Sequence, residues 1–159
     1  EEKQSAKMIV KLSHIMRYMI YDCTKDLVSL DREKMMIDNF MELQRLKLPL
    51  NANIDFFVAG IHRNVQIPPM ILINFVENSF KHSDIETNPE GWVHISLEVG
   101  ASHLNFRSEN SQSVTQPLGQ EGLGLNISKK LLENHYGERH KLNITESKNL
   151  YTTELIIEL

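Results

Sequence analysis

IPPMILINFVENSFKHS, residues 67–83, is an apolar helical pattern that carries a row of polar side chains. Spacings of four and three bring Asn74, Asn78 and Lys81 onto one helical face, with Glu77 one step around from Asn78. Ile71, Leu72, Phe75 and Val76 supply the apolar side, so the polar row runs along the edge of a core. Pro68 and Pro69 suit the first turn, where backbone N–H groups lack intrahelical partners, and the helix is expected over 68–81. A lone Asn or Lys on a helix usually just faces water. A carboxylate, two amides, an ammonium and the His82 imidazole together suit a hydrated divalent cation and the phosphates it carries. One carboxylate is too few for a metal cage, so Mg²⁺ with phosphate fits better than metal alone.

Three of the seven glycines fall in LGQEGLGLN, residues 118–126, directly before the helical pattern LNISKKLLENHY. Glycines let backbone N–H groups approach an anion, and a helix N-terminus adds partial positive charge. Alone, such a cluster more often marks a flexible loop. Behind an Asn-lined helix it reads as the second wall of a phosphate site.

Around these two stretches the periodicities define a mixed chain. Met8, Leu12, Ile15, Met16 and Met19 recur at helical spacing through 3–22, and Met36, Phe40 and Leu43 through 31–46, giving a helical hairpin. Asp31 suits the N-cap of the second helix, and Pro49 ends it. Methionine stripes of this kind are core or helix-packing surface, including packing between two copies. NIDFFVA (53–59), VHISLEV (93–99), HLNFRS (103–108), HKLNITE (140–146) and TTELIIEL (152–159) read as strands, with a second helix of the core at 123–136. SENSQSVTQPLGQEG (108–122) is polar and bears Gly and Pro, which makes it the candidate lid over the phosphate site. The expected fold is α+β: a two-layer α/β sandwich with a mixed sheet and helices on one face. A helical hairpin at 1–47 precedes this unit at 48–159.

Composition bounds the function. A 41% hydrophobic content over 159 residues is enough for a core, and a net charge of −4 without a Lys/Arg cluster argues against nucleic acid. Cys23 is the single cysteine, which excludes an internal disulfide and suits a reducing compartment. No apolar run approaches the ~20 residues that span a bilayer, and EEKQS does not open a signal peptide. The seven histidines show no HExxH or paired-ligand spacing for zinc.

ENSFKH resembles the N-box, and GLGLNISKKLLENHYG the glycine box, of LytS-type sensor histidine kinases, whose catalytic domains belong to the GHKL ATPase superfamily with its Bergerat-type sheet. Upstream, KLSHIMRYMIYD (11–22), LVSL and FMELQRLKL resemble the helical dimerisation segment that precedes the catalytic domain in that family. The resemblance implies ATP and Mg²⁺ as ligands and a phosphoryl transfer to a histidine. Asn78 would be the N-box residue that coordinates Mg²⁺. Glu77 would orient the phosphoacceptor imidazole, Asn74 would be a second polar N-box residue, and Lys81 and His82 would lie near the phosphates. Gly122, Leu123, Gly124 and Leu125 would form the hinge of the lid close to the triphosphate. It further implies a phosphoacceptor helix upstream, a response regulator, a homodimer in the full-length protein and a cytoplasmic position, with the full-length protein anchored in the cell membrane.

The departures matter as much. The family reads adenine with an Asp in a DxGxG context, whereas HLNFRSENSQS (103–113) has neither that Asp nor a glycine. Counting Leu104, Phe106, Ser108 places Asn110 at the Asp position, with Glu109 one register off. An amide oxygen still accepts a hydrogen bond but lacks the charge, a loss of ~1–1.5 kcal/mol or about tenfold in affinity. In the glycine box, relatives carry Asn two residues after the GxGL leucine, where this chain has Ile127; Asn126 comes one position earlier. The family's PHFLFN phosphoacceptor motif is absent from these residues, and His14 is read as a solvated or interface histidine. Two readings therefore stand against the kinase: a GHKL-like domain turned non-catalytic signalling module, and a GHKL hydrolase, which usually carries a larger transducing region.

Overall fold

The computed structural model describes residues 2–60, 64–112 and 122–159. Helix α1 (Glu2–Arg17) runs into a π-helical turn (Tyr18–Asp22), and α2 (Leu30–Lys47) returns beside it. Lys11 pairs with Glu42 at 2.9 Å and Tyr18 meets Glu33, so early residues of one helix face late residues of the other and the hairpin is antiparallel. The regular helix thus stops at Arg17 rather than 22, and the π turn buries Tyr18 and Asp22. Ser29, not Asp31, sits at the N-cap of α2, and Asp31 lies in the first turn, where its charge favours the helix dipole.

Two short strands, β1 (Val28–Ser29) and β3 (Gln66–Ile67), form an antiparallel ribbon that ties the start of α2 to the approach of α3 (Ile71–His82). The main sheet comprises β2 (Asn53–Gly60), β4 (Trp92–Val99), β5 (His103–Ser111), β6 (His140–Glu146) and β7 (Leu150–Glu158), in the order β2-β4-β5-β7-β6. Within this sheet β2 and β4 pair in parallel and the other neighbours antiparallel. Helix α4 (Leu123–Tyr136) precedes β6 through a short 3-10 turn.

Strand alternation decides which face is covered. Val93, Ile95, Leu97 and Val99 of β4, Leu104 and Phe106 of β5, and Leu155 and Ile157 of β7 point into one core with Leu72, Phe75 and Val76 of α3. Ser96, Glu98, Asn105, Arg107 and Glu154 line a groove on the opposite face. Phe75 and Phe106 meet at 6.0 Å between ring centroids, and each buried aromatic of this size contributes about 1.5–3 kcal/mol. Met36, Ile37 and Met41 of α2 belong to the same core cluster, so the second arm of the hairpin is packed into the unit it precedes. The architecture is the expected α+β mixed sheet with helices on one face.

Two further element boundaries differ from the sequence reading for identifiable reasons. The prolines at 68 and 69 precede α3, which begins at Ile71 behind Met70 in a left-handed conformation, φ 68°. No residue of the same segment caps this helix; the carboxylate of Glu33 on α2 does so, accepting from Met70 N–H at 2.6 Å and Leu72 N–H at 3.0 Å. Strand β5 runs to Ser111, three residues beyond the expected end, because Asn110 and Ser111 pair with Tyr151 and Leu150 of β7. Residues 108–111 of the expected lid are therefore strand, and 113–121 lie outside the described residues.

Candidate functional site

Helices α3 and α4 meet where the asparagine row and the glycine turn face each other. Asn74 is 7% exposed, and its Nδ2 donates to Gly124 O at 3.2 Å and to Ser128 Oγ at 2.9 Å. A methyl group at Gly124 would come within 3.3 Å of Asn74 Oδ1, and one at Gly122 would meet Lys81 Nζ at 3.7 Å. Glycine at 124 thus permits the close approach of α4 to α3. The sequence-predicted Asn74, Lys81, Gly122 and Gly124 are brought together, with Leu123 exposed and Leu125 buried in the first turn of α4.

The polar side chains of α3 do not form one exposed row. Asn74 and Asn78 are buried, whereas Glu77 and Lys81 are exposed. Asn74 spends its amide on the α3–α4 junction, which makes it a spacer between the helices. His82 stacks on Tyr151 of β7, with 4.6 Å between centroids and nearly parallel ring planes. Burial pushes its pKa down, the Lys81 charge adds to this, and Glu146 opposes it. Neutral imidazole is the form so favoured.

Below the C-terminal half of α3, the strand register puts Asn110 and Glu109 on opposite faces of the sheet. Asn110 faces the helix-covered side with no exposed surface, while Glu109 points to the opposite face and pairs with Arg107. The Asn110 amide nitrogen donates to Ser111 O at 3.0 Å, and its buried Oδ1 has no partner among the described residues. Ser108 Oγ and Thr153 Oγ1, on residues paired across β5 and β7, are likewise buried and without a partner among the described residues. Each such group costs about 1–3 kcal/mol, so three in one patch call for a ligand or for water. Sequence reasoning missed Ser108 and Thr153. The available signal was the break in the inward series, Leu104–Phe106–Ser108 and Ile157–Leu155–Thr153, where hydroxyls stand at core positions.

The loop after α3 is fixed to the end of β5. Ser111 Oγ donates to Asp84 Oδ1 at 2.6 Å, Asp84 N–H donates to Ser111 O at 3.2 Å, and Asn88 Nδ2 donates to Asp84 Oδ2 at 2.9 Å. These bonds hold the C-terminal end of α3 over Asn110. Among the described residues no group of three His, Cys, Asp or Glu side chains could hold a metal ion, and no helix is long and apolar enough to cross a membrane.

The family model described as histidine kinase matches residues 1–51. The sensor histidine kinase BtsS of Escherichia coli is 22% identical over 153 residues, covering 96% of this chain and 27% of that protein. The sensor protein LytS of Staphylococcus epidermidis is 20% identical, covering 99% of this chain and 29% of its own length. The chain therefore spans under a third of the curated relatives it matches. Among solved structures, the catalytic domain of histidine kinase ThkA superposes with a TM-score of 0.57 at 20% identity, over 83% of this chain and 95% of that domain. The complex of ThkA with the response regulator TrrA matches with a TM-score of 0.54 at 18% identity, over 94% of this chain and 48% of that one. The chain is similar to the LytS and BtsS sensor histidine kinases, and it carries the fold of histidine kinase catalytic domains.

Proposed function

We propose that this chain is the ATP-binding catalytic domain of a two-component sensor histidine kinase, gripping Mg²⁺–ATP between α3 and the start of α4. The observation that carries the reading is the junction itself: an amide-bearing helix and a glycine-containing helix N-terminus meet through Asn74 and Gly124. The oxygens of Ser108, Asn110 and Thr153, without partners among the described residues, support an adenine contact at Asn110, whose Oδ1 would accept from the exocyclic amino group.

In this reading Lys81 lies beside the phosphates and Asn78 supplies an oxygen ligand to Mg²⁺, with the nucleotide providing the others. When bound, Mg²⁺ neutralises charge on the phosphate oxygens. The γ-phosphoryl group passes in line to a ring nitrogen of a histidine outside these residues: the bond from γ-phosphorus to the bridging oxygen breaks, an N–P bond forms, and ADP leaves with the electron pair. A neutral imidazole already has the lone pair for attack, so Glu77 need only orient it and balance the charge that develops. The exposure of Glu77 at the rim of α3 supports that role. The response regulator is the proposed acceptor of the phosphoryl group, as the ThkA–TrrA complex suggests by analogy.

A second reading, a non-catalytic signalling module on the same fold, is favoured by Asn110 in place of the family's Asp and by the burial of Asn78, 7% exposed. Calorimetric titration with Mg²⁺ and a non-hydrolysable ATP analogue distinguishes the two. Micromolar or tighter binding that Asn78→Ala abolishes is expected of the kinase domain; no heat with the parent chain would leave the signalling module.

A further inference from the structure

Helix α3 receives its N-terminal cap from another helix. Met70 stands at φ 68° and provides no side-chain cap, so the first backbone donors of α3 turn to the hairpin. Glu33, one turn into α2 and fully buried, accepts from Met70 N–H at 2.6 Å through Oε1 and from Leu72 N–H at 3.0 Å through Oε2. Tyr18, the first residue of the π turn that ends the other arm, donates its hydroxyl to the same Oε1. A carboxylate at a helix N-terminus is favoured by the dipole and by the unpaired N–H groups. Burying a carboxylate without partners is costly, so the cluster holds together only while its donors stay in place.

Both arms of the hairpin therefore converge on the first turn of the helix that bears Asn74 and Asn78. A second tie runs parallel to the first: Leu30 N–H donates to Val65 O at 2.9 Å, and the β1–β3 ribbon pairs Val28 with Ile67. One helical turn separates the capped residues from Asn74 and a second reaches Asn78. Because α3 is a single regular segment, displacement of its N-terminus shifts both amides.

We propose that Tyr18 and Glu33 are positioning residues for the nucleotide site, fixing the Asn-bearing helix to the helical hairpin so that hairpin geometry sets nucleotide affinity. This rests on the ATP-binding reading above. Linkage is reciprocal: if hairpin position changes nucleotide affinity, bound nucleotide must restrain the hairpin.

The test combines hydrogen exchange and calorimetry on the full chain with Mg²⁺ and a non-hydrolysable ATP analogue, at a temperature where circular dichroism shows every variant folded. In the parent, the analogue is expected to slow amide exchange in the first two turns of α2 as well as in α3 and the first turn of α4. Tyr18→Phe, which removes one donor without changing shape, is expected to weaken binding at least about fivefold, the lower end of typical coupling between sites. It should also abolish the protection in α2 while leaving that in α4. Glu33→Gln, which sets an amide N–H₂ against a backbone donor, should do the same more strongly. Should that variant fail to fold, Tyr18→Phe alone decides. Protection confined to α3 and α4 in the parent, or parental affinity in Tyr18→Phe, overturns the proposal while nucleotide binding itself stands. Absence of binding in the parent removes the ATP-binding reading and this proposal with it.

Discussion

Asn74→Ala tests whether the two helices that wall the candidate site are joined by the amide identified here. The substitution removes two hydrogen bonds, to Gly124 O at 3.2 Å and to Ser128 Oγ at 2.9 Å. At about 0.5–1.5 kcal/mol net each, their loss amounts to about 2 kcal/mol. Alanine is the better helix former and returns about 0.5 kcal/mol, leaving a deficit of about 1.5 kcal/mol. For a domain of this size that corresponds to a fall in Tm of about 3–6 °C. Differential scanning calorimetry gives the Tm, and urea titration should show a lower midpoint at unchanged slope. Ser128→Ala completes a double-mutant cycle. Ser128→Ala loses the bond from Asn74 at 2.9 Å and only a long bond to Ile71 O at 3.4 Å, so it should cost somewhat less than Asn74→Ala, and the pair should couple by at least about 0.5 kcal/mol. A Tm within about 1 °C of the parent, or strictly additive effects in the cycle, would refute the assignment of Asn74 to the helix junction.

Two other perturbations follow from buried groups. Tyr136 carries a hydroxyl with no partner among the described residues, and burial pushes its pKa up to about 12. Tyr136→Phe keeps the ring under Arg139, 5.8 Å from the guanidinium carbon to the ring centroid, and should stabilise the chain by about 1 kcal/mol by urea unfolding; a loss of stability would reveal a partner for that oxygen. His82 has a folded pKa below the ordinary value of about 6.5, so its neutral form contributes stability that is fully present above that value and is lost as pH falls through the folded pKa. An NMR titration of its ring protons should give a midpoint below that of an unfolded histidine; a midpoint at or above it contradicts the stacked, half-buried placement on Tyr151.

What the sequence made legible was local. Alternation in HLNFRSENS placed Asn110 on the core face and Glu109 on the other, since a period of two needs no knowledge of partners. The helical periods of α3 and α4 emerged for the same reason. Glu33 was invisible as a cap because its clients, Met70 and Leu72, lie 37 and 39 residues away and the signal is a contact, not a spacing. The two-residue strands β1 and β3 are too short to show any alternation. Proline at 68 and 69 misled in a specific way: it suits a first turn, but here the chain uses Met70 to bend into the helix because a carboxylate from elsewhere already awaits the free N–H groups.

These non-local bonds share one target. Helix α3 has 12 residues, a length at which an isolated helix is marginal in water, so its position is set by what it touches. Its apolar face alone would tolerate small slides along the sheet, because the hydrophobic effect is non-directional. Directional bonds remove that freedom at three levels: Glu33 holds the first turn to α2, Asn74 holds the second to α4, and Asp84 with Ser111 holds the exit to β5. A helix tied at its beginning, middle and end can present Asn78 and Lys81 at a fixed height only while all three neighbours keep their places. The neighbour whose own packing leaves most apolar surface uncovered is the hairpin, where Ile9, Met16, Met19, Ile20 and Met35 are each at least half exposed. Any partner that covers that surface therefore acts on the same helix that carries the candidate site.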